Sequence, residues 1–116
     1  MDTNHAPWQE RFGLTVCRAE EIGKAIPAGV MGIAVIYAKT EGGEAVYLVV
    51  ESRAGSLLTQ TTRRLETAKF PAGVKLTVAF KTEALADASA TAVHAACREQ
   101  VIVAGAMRRE LRPAMR

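Results

Sequence analysis

Residues 29–52 read GVMGIAVIYAKTEGGEAVYLVVES, and this stretch decides the fold. Two runs rich in Val, Ile and Tyr flank residues 41–44, which contain two adjacent glycines. Val, Ile and Tyr favour a pleated sheet surface, and glycine supplies the positive φ that a tight hairpin turn requires. The pattern predicts an antiparallel hairpin with strands at residues 30–38 and 45–51. Because both runs are apolar without clean alternation, we expect other elements to cover both faces of the hairpin.

The rest of the chain predicts helices packed on a small sheet. Residues 15–25 and 57–69 carry apolar side chains at helical spacing, and residues 74–80 alternate as in a half-buried strand near a sheet edge. A long alanine-rich helix is predicted from Glu83, with a break or bend at Gly105. The predicted order is α-β-β-α-β-α. This is an α+β fold with one three-stranded, mainly antiparallel sheet, built on the central hairpin and flanked by helices.

Length, composition and charge bound the class of protein. The chain has 116 residues, 49% of them hydrophobic, which suits one domain with its own core. We expect residues 1–116 to form this domain, with an irregular N-terminal arm at residues 1–14 and a basic C-terminal end at residues 106–116. Residues 108–116 hold four Arg and one Glu, and therefore account for the whole formal net charge of +3. No apolar run reaches membrane-spanning length and no signal-peptide pattern occurs, so we expect a cytoplasmic protein that does not bind membranes.

Few residues in the sequence suggest a catalytic or binding site. The sequence has no phosphate-binding glycine loop, no zinc spacing and no nucleophile elbow, so we expect no catalytic residue, no metal and no cofactor. Arg63 and Arg64 form the most suggestive pair, because arginine is the favoured side chain for gripping phosphate. The alternative interpretation is a solvated helix face, on which Arg63 pairs locally with Glu66.

Three segments in this order resemble the GIY-YIG endonuclease domain. They are residues 32–37 (GIAVIY), residues 46–49 (VYLV) and the arginine-bearing residues 63–65 (RRL), followed by a predicted strand and a long helix. The resemblance covers about residues 26–105. It implies a three-stranded antiparallel sheet flanked by helices in the order β-β-α-β-α. In that family two tyrosines, a helical arginine and a metal-binding glutamate cleave phosphodiesters with a divalent cation.

The resemblance extends to only some of the reactive residues. Ala34 stands where the first tyrosine of the family is expected, and Tyr37 follows three positions later on the opposite strand face. Tyr47 matches the second tyrosine, although Val49 replaces the glycine of that motif. The long helix offers alanines where the glutamate is expected, and Glu99 comes late. The resemblance therefore implies a member of the family without its full catalytic set.

The function expected from the sequence is binding without catalysis. The first hypothesis is a GIY-YIG-like module for nucleic acid or another anionic partner. Its binding residues would be Tyr37, Tyr47, Arg63, Arg64, Arg108, Arg109 and Arg112. The alternative is a protein–protein interaction or homodimerisation module with no nucleic-acid role, which the near-neutral body and the alanine-rich helix favour. An active metal-dependent nuclease is the third hypothesis, and the missing tyrosine and glutamate argue against it.

Overall fold

The hairpin predicted from residues 29–52 forms one half of an antiparallel sheet. The computed structural model describes residues 6–52, 56–84 and 88–115. Within them β2 (Met31–Thr40) pairs with β3 (Gly43–Glu51) across a two-residue turn, and Gly43 adopts a φ of 134°. Every residue from 31 to 38 is buried, as are residues 47–50, so the prediction that both faces are covered is confirmed for these parts of the two strands and not for the turn end of the hairpin. Predictions that fall on residues 1–5, 53–55, 85–87 and 116 lie outside the described residues.

The described part of the sheet has one strand more than predicted. Residues Thr15–Arg18 form β1, which pairs with β4 (Leu76–Glu83), and the strand order is β1-β4-β2-β3. The predicted helix at residues 15–25 is therefore wrong over its first part. Its Thr and Val are β-branched and suit the extended pairing, which outweighs the helical spacing. As a consequence β4 lies inside the sheet, and its predicted place near an edge is also wrong.

The helices complete an α+β fold whose element order differs from the prediction. They are α1 (Trp8–Arg11), a 3₁₀ turn (Ala19–Glu21), α2 (Ile22–Ala25), α3 (Leu57–Thr67) and α4 (Ala90–Leu111). The described order is α1-β1-α2-β2-β3-α3-β4-α4, so the predicted class is confirmed, while the three-stranded count and the order are wrong.

The arm and the long helix also depart from their predictions. The N-terminal arm contains the short helix α1, where irregular structure was expected. The long helix starts later than Glu83 because β4 continues to that residue. Its N-cap is Ser89, whose hydroxyl accepts a hydrogen bond from the Ala92 amide at 3.1 Å, and the helix passes Gly105 without a break. Residues 106–111 of the predicted basic end therefore belong to α4.

Strand β2 supplies side chains to two separate clusters, one on each face of the sheet. On the α3 face, Ala34 and Ile36 pack with residues of α2 and α3 such as Ile22 and Leu57. On the α4 face, the side chains of β2 pack with Trp8 of α1 and with two residues of α4; the set is Ile33, Val35, Tyr37, Trp8, Ala104 and Met107. Alternation along one buried strand thus decides which helix each residue contacts.

Gly32 fixes the start of β2 because no larger residue fits there. A Cβ atom at this position would lie 2.1 Å from the Lys81 carbonyl oxygen and 2.8 Å from Leu57 Cδ2. The Ser52 hydroxyl accepts a hydrogen bond from the Gly32 amide at 2.8 Å, and the Ser52 amide donates to the Gly32 carbonyl at 3.1 Å. The end of β3, the neighbouring strand β4 and the first turn of α3 therefore all meet at this glycine.

We expect Gly32→Ala to lower the free energy of unfolding by about 3 kcal/mol, because a methyl group there forces β4 away from β2. The matched control is Gly42→Ala, since a Cβ atom at Gly42 meets nothing within 4 Å. That variant should change the free energy by less than about 1 kcal/mol. Urea denaturation of both variants is the measurement. Equal effects at the two positions would show that the close approach at Gly32 is not a stability constraint.

Candidate functional site

The two tyrosines that the sequence singles out lie on opposite faces of the sheet. Tyr37 is on the α4 face with 1% of its surface exposed, and its ring meets Trp8 edge-on with the ring centroids 5.0 Å apart. Tyr47 is on the α3 face with 7% exposed, and its ring meets Phe70 edge-on at 5.7 Å. The two phenol rings therefore do not form one site.

A β-bulge separates the tyrosines. Tyr37 pairs with Val46, and the next paired residue of β3 is Leu48, so Tyr47 is an extra residue in the register. A bulge interrupts the alternation of side chains, and Tyr47 and Leu48 consequently both pack on the α3 face. Val49 packs on the α4 face. Strict alternation without the bulge would place Tyr47, two residues earlier, on the same face beside Tyr37.

The position that the resemblance assigns to the first tyrosine is apolar and closed. Ala34 is fully buried on the α3 face and pairs with Val50 and Phe80 of the neighbouring strands. Glu99, the late candidate for the family's glutamate, is exposed on α4, which covers the other face. The structure therefore does not bring the counterparts of the family's reactive residues together.

The predicted binding arginines are divided between the two helices. Arg63 is exposed and Arg64 half-buried on α3, which covers one face of the sheet. Arg108 and Arg109 are exposed in the last turn of α4, which covers the other face, and Arg112 caps that helix with a φ of 48°. The two helices thus do not present their arginines on one face.

Arg108 ties α4 to the sheet. Its guanidinium donates to the Glu51 carboxylate at 3.2 Å and to the Val49 carbonyl at 3.1 Å. Both acceptors belong to β3. This arginine therefore has a structural role that competes with any contact to a phosphate.

The C-terminal segment, residues 112–115, crosses the outer edge of β3. The Ala114 amide donates to the Val46 carbonyl at 3.1 Å, and the Met115 amide donates to the Tyr47 carbonyl at 2.8 Å. The Met115 side chain then packs on the α3 face. Arg112 therefore lies where the chain passes from the end of α4 towards the α3 face, next to the bulge.

A second feature is a cleft beneath α4, at the other end of the sheet, that contains a buried polar side chain. Gln100 of α4 is 9% exposed, and its Nε2 donates to the Ser52 carbonyl. Its Oε1 is buried and has no hydrogen-bond partner among the described residues. Gln100 is not among the residues that the sequence predicts to form a site. The sequence signal that identifies it is its spacing. Gln100 lies four positions from both Ala96 and Ala104, which places it on the buried side of the helix.

Comparison with known proteins adds no assignment: no family model, no curated protein and no solved structure matches this chain. None of the helices within residues 6–52, 56–84 and 88–115 is long and apolar enough to cross a membrane. In the same residues no group of three or more His, Cys, Asp and Glu side chains is placed to hold a metal ion. The GIY-YIG resemblance and the cytoplasmic location stay predictions.

Burial raises the pKa of the Tyr37 phenol above its ordinary value of 10.0. We therefore expect Tyr37 to ionise above that pH, and the stability that its neutral form provides should be present below pH 10 and lost as the pH rises through the folded pKa. Ultraviolet absorbance of tyrosinate, compared between the wild type and Tyr37→Phe, isolates this transition. Ionisation of Tyr37 below pH 10 in the folded protein would instead indicate an activated, solvated phenol.

Proposed function

We propose that this chain is a non-catalytic GIY-YIG-like module that binds nucleic acid or another anionic partner through arginines. One contrast carries the proposal. The residues that would react are buried or replaced, as Tyr37 and Ala34 are, whereas Arg63, Arg109 and Arg112 are exposed. The element succession β2-β3-α3-β4-α4 also follows the order that the resemblance implies.

The separation of the groups supports the proposal that the module is non-catalytic. Phosphodiester cleavage requires charge stabilisation and a positioned base around one phosphate. The bulge at Tyr47 turns this ring to the α3 face, while Tyr37 stays on the α4 face. One phosphate group cannot contact both rings through a closed sheet. The fold can keep a binding surface without the reaction, because function depends on sites and not on folds.

The position of the arginines favours a single strand over a duplex. Arg63 and Arg109 lie on helices that cover opposite faces, and the C-terminal segment with Arg112 passes around the β3 edge between those faces. A ligand that contacts all three has to follow this edge. A flexible single strand can do so, whereas a DNA duplex resists bending on a scale of about 50 nm. Contacts to phosphates carry no sequence information, so we infer weak binding without sequence preference.

We expect random-sequence single-stranded oligonucleotides to bind at about 50 mM salt and to dissociate steeply as salt increases, because phosphate contacts release counterions. Arg63→Gln, Arg109→Gln and Arg112→Gln should each weaken binding for any sequence and reduce the salt slope by about one unit. Fluorescence anisotropy at several salt concentrations is the measurement.

The matched control is Arg18→Gln. Arg18 lies on β1 at the opposite edge of the sheet, and its side chain is 77% exposed with Glu21 as an ion-pair partner at 3.7 Å. This variant should bind like the wild type. The same loss in Arg18→Gln, or no salt-sensitive binding at all, would contradict the arginine surface. Cleavage of the oligonucleotide after addition of Mg²⁺ would contradict the non-catalytic assignment.

A second candidate is a protein–protein interaction module, and one observation favours it. Val101 and Ile102 are adjacent on α4, and they are 60% and 69% exposed. Neighbouring exposed aliphatic side chains are typical of interaction surfaces. Salt distinguishes the candidates, since apolar association persists at high salt while phosphate binding is lost.

A further inference from the structure

The cleft beneath α4, here called the α4 cleft, has an apolar floor. The floor is made by Met31 and Ile33 of β2 and by Ala96 and Val103 of α4. Both β2 residues are buried, at 2% and 1% exposure. The cleft has a volume of about 30 Å³, so its floor offers contact for only a few methylene groups.

The walls of the α4 cleft carry charged groups from two elements. Lys81 and Glu83 come from β4, where they pair with Ile33 and Met31, and Glu99 comes from α4. Residues that pair in an antiparallel register project to the same face, so both β4 side chains face α4. Two carboxylates and one ammonium leave the cleft with an excess of negative charge.

Gln100 gives this acidic cleft an acceptor that lacks a donor. Its Nε2 is committed to the Ser52 carbonyl, and this hydrogen bond fixes the amide so that Oε1 is the atom left over. A buried acceptor without a partner costs about 1–3 kcal/mol, and such a group calls for a donor from a ligand or a solvent molecule. Gln100 is one of the residues that line the cleft, so we expect a donor to reach Oε1 from the cleft side.

We propose that the α4 cleft binds a single ammonium group, carried by a short alkylamine or by the lysine side chain of a peptide. An ammonium has three donors and no acceptor, which matches Gln100 Oε1 together with the carboxylates of Glu83 and Glu99. The attached methylene groups lie along the apolar floor. This site is separate from the arginine surface and attracts cations instead of anions. Its existence does not depend on the arginine surface.

Lys81 brings a positive charge into the same cleft. It lines the cleft and is half-buried, so its ammonium repels an external ammonium that enters there. Lys81→Met keeps all but one atom of the length of the side chain and removes the charge. If the external ammonium uses these acceptors, its binding should become tighter in this variant.

The test uses n-butylammonium chloride at neutral pH, with sodium chloride of the same ionic strength as the reference. We expect saturable ¹H–¹⁵N shifts at the Gln100 side-chain amide and at the backbone amides of Ala96 and Val103. n-Butanol, which lacks the charge, and tetramethylammonium, which lacks donors, should give no saturable shift at these positions. A blocked peptide with one lysine, compared with the same peptide carrying norleucine, shows whether a peptide can supply the ammonium.

Glu99→Gln should weaken n-butylammonium binding by roughly three- to fivefold, the size expected for an exposed ion pair. Glu66→Gln is the matched control, because Glu66 is exposed on α3 across the sheet, and it should not change the affinity. Both substitutions affect exposed side chains, so both proteins should fold. Binding only in Lys81→Met and not in the wild type would overturn the proposal and assign the acceptors to Lys81. Equal shifts with n-butanol, or equal loss in Glu66→Gln, would overturn it as well.

Discussion

The strand β2 is the constraint on which the rest of the structure depends. It is hydrogen-bonded to β3 on one side and to β4 on the other, and residues 31–38 have almost no exposed surface. A strand in this position has to satisfy its backbone within the sheet and its side chains on two faces at once. The helices α2 and α3 cover one set of its side chains, and α1 and α4 cover the other. Gly32 adds a steric limit at the point where β4 and α3 approach most closely.

The bulge at Tyr47 has the larger consequence for function. It moves one tyrosine to the face of α3, away from Tyr37, and it leaves carbonyls on the β3 edge to which the C-terminal segment donates. One local irregularity therefore separates the aromatic groups and positions Arg112 at the border between the faces. It is also the reason why Tyr37 and Tyr47 lie on opposite faces of the sheet. The cleft beneath α4 lies elsewhere, near the start of β2, where Met31, Gly32 and Ile33 line it.

The sequence predicted what depends on local pattern and failed where pairing overrides it. The unbroken apolar run of β2 correctly predicted cover on two faces. The alternation in β4 correctly predicted that Val78 and Phe80 share a face, but the strand is not half-buried, because Ala79 packs on the α4 face with no exposed surface. Strand β1 was missed, because Val16 and Cys17 are extended only through their pairing with β4. Apolar character alone does not locate the buried side of α4: Val101 is 60% exposed, whereas the helix turns Gln100 and Ala104 inward. Neither the bulge nor the orphan oxygen of Gln100 is readable from spacing, because both depend on partners distant in sequence.

Native-state hydrogen exchange tests the central role of β2 most directly. Backbone amides held by the core of the sheet exchange only when the whole protein unfolds, whereas edge elements open locally. The account predicts that amides of residues 33–38 exchange most slowly, with a free energy of opening equal to the global free energy of unfolding. The amides of β1, a four-residue edge strand, should exchange at a lower free energy. Faster exchange in β2 than in β1 would contradict the account, because the fold would then be stabilised elsewhere.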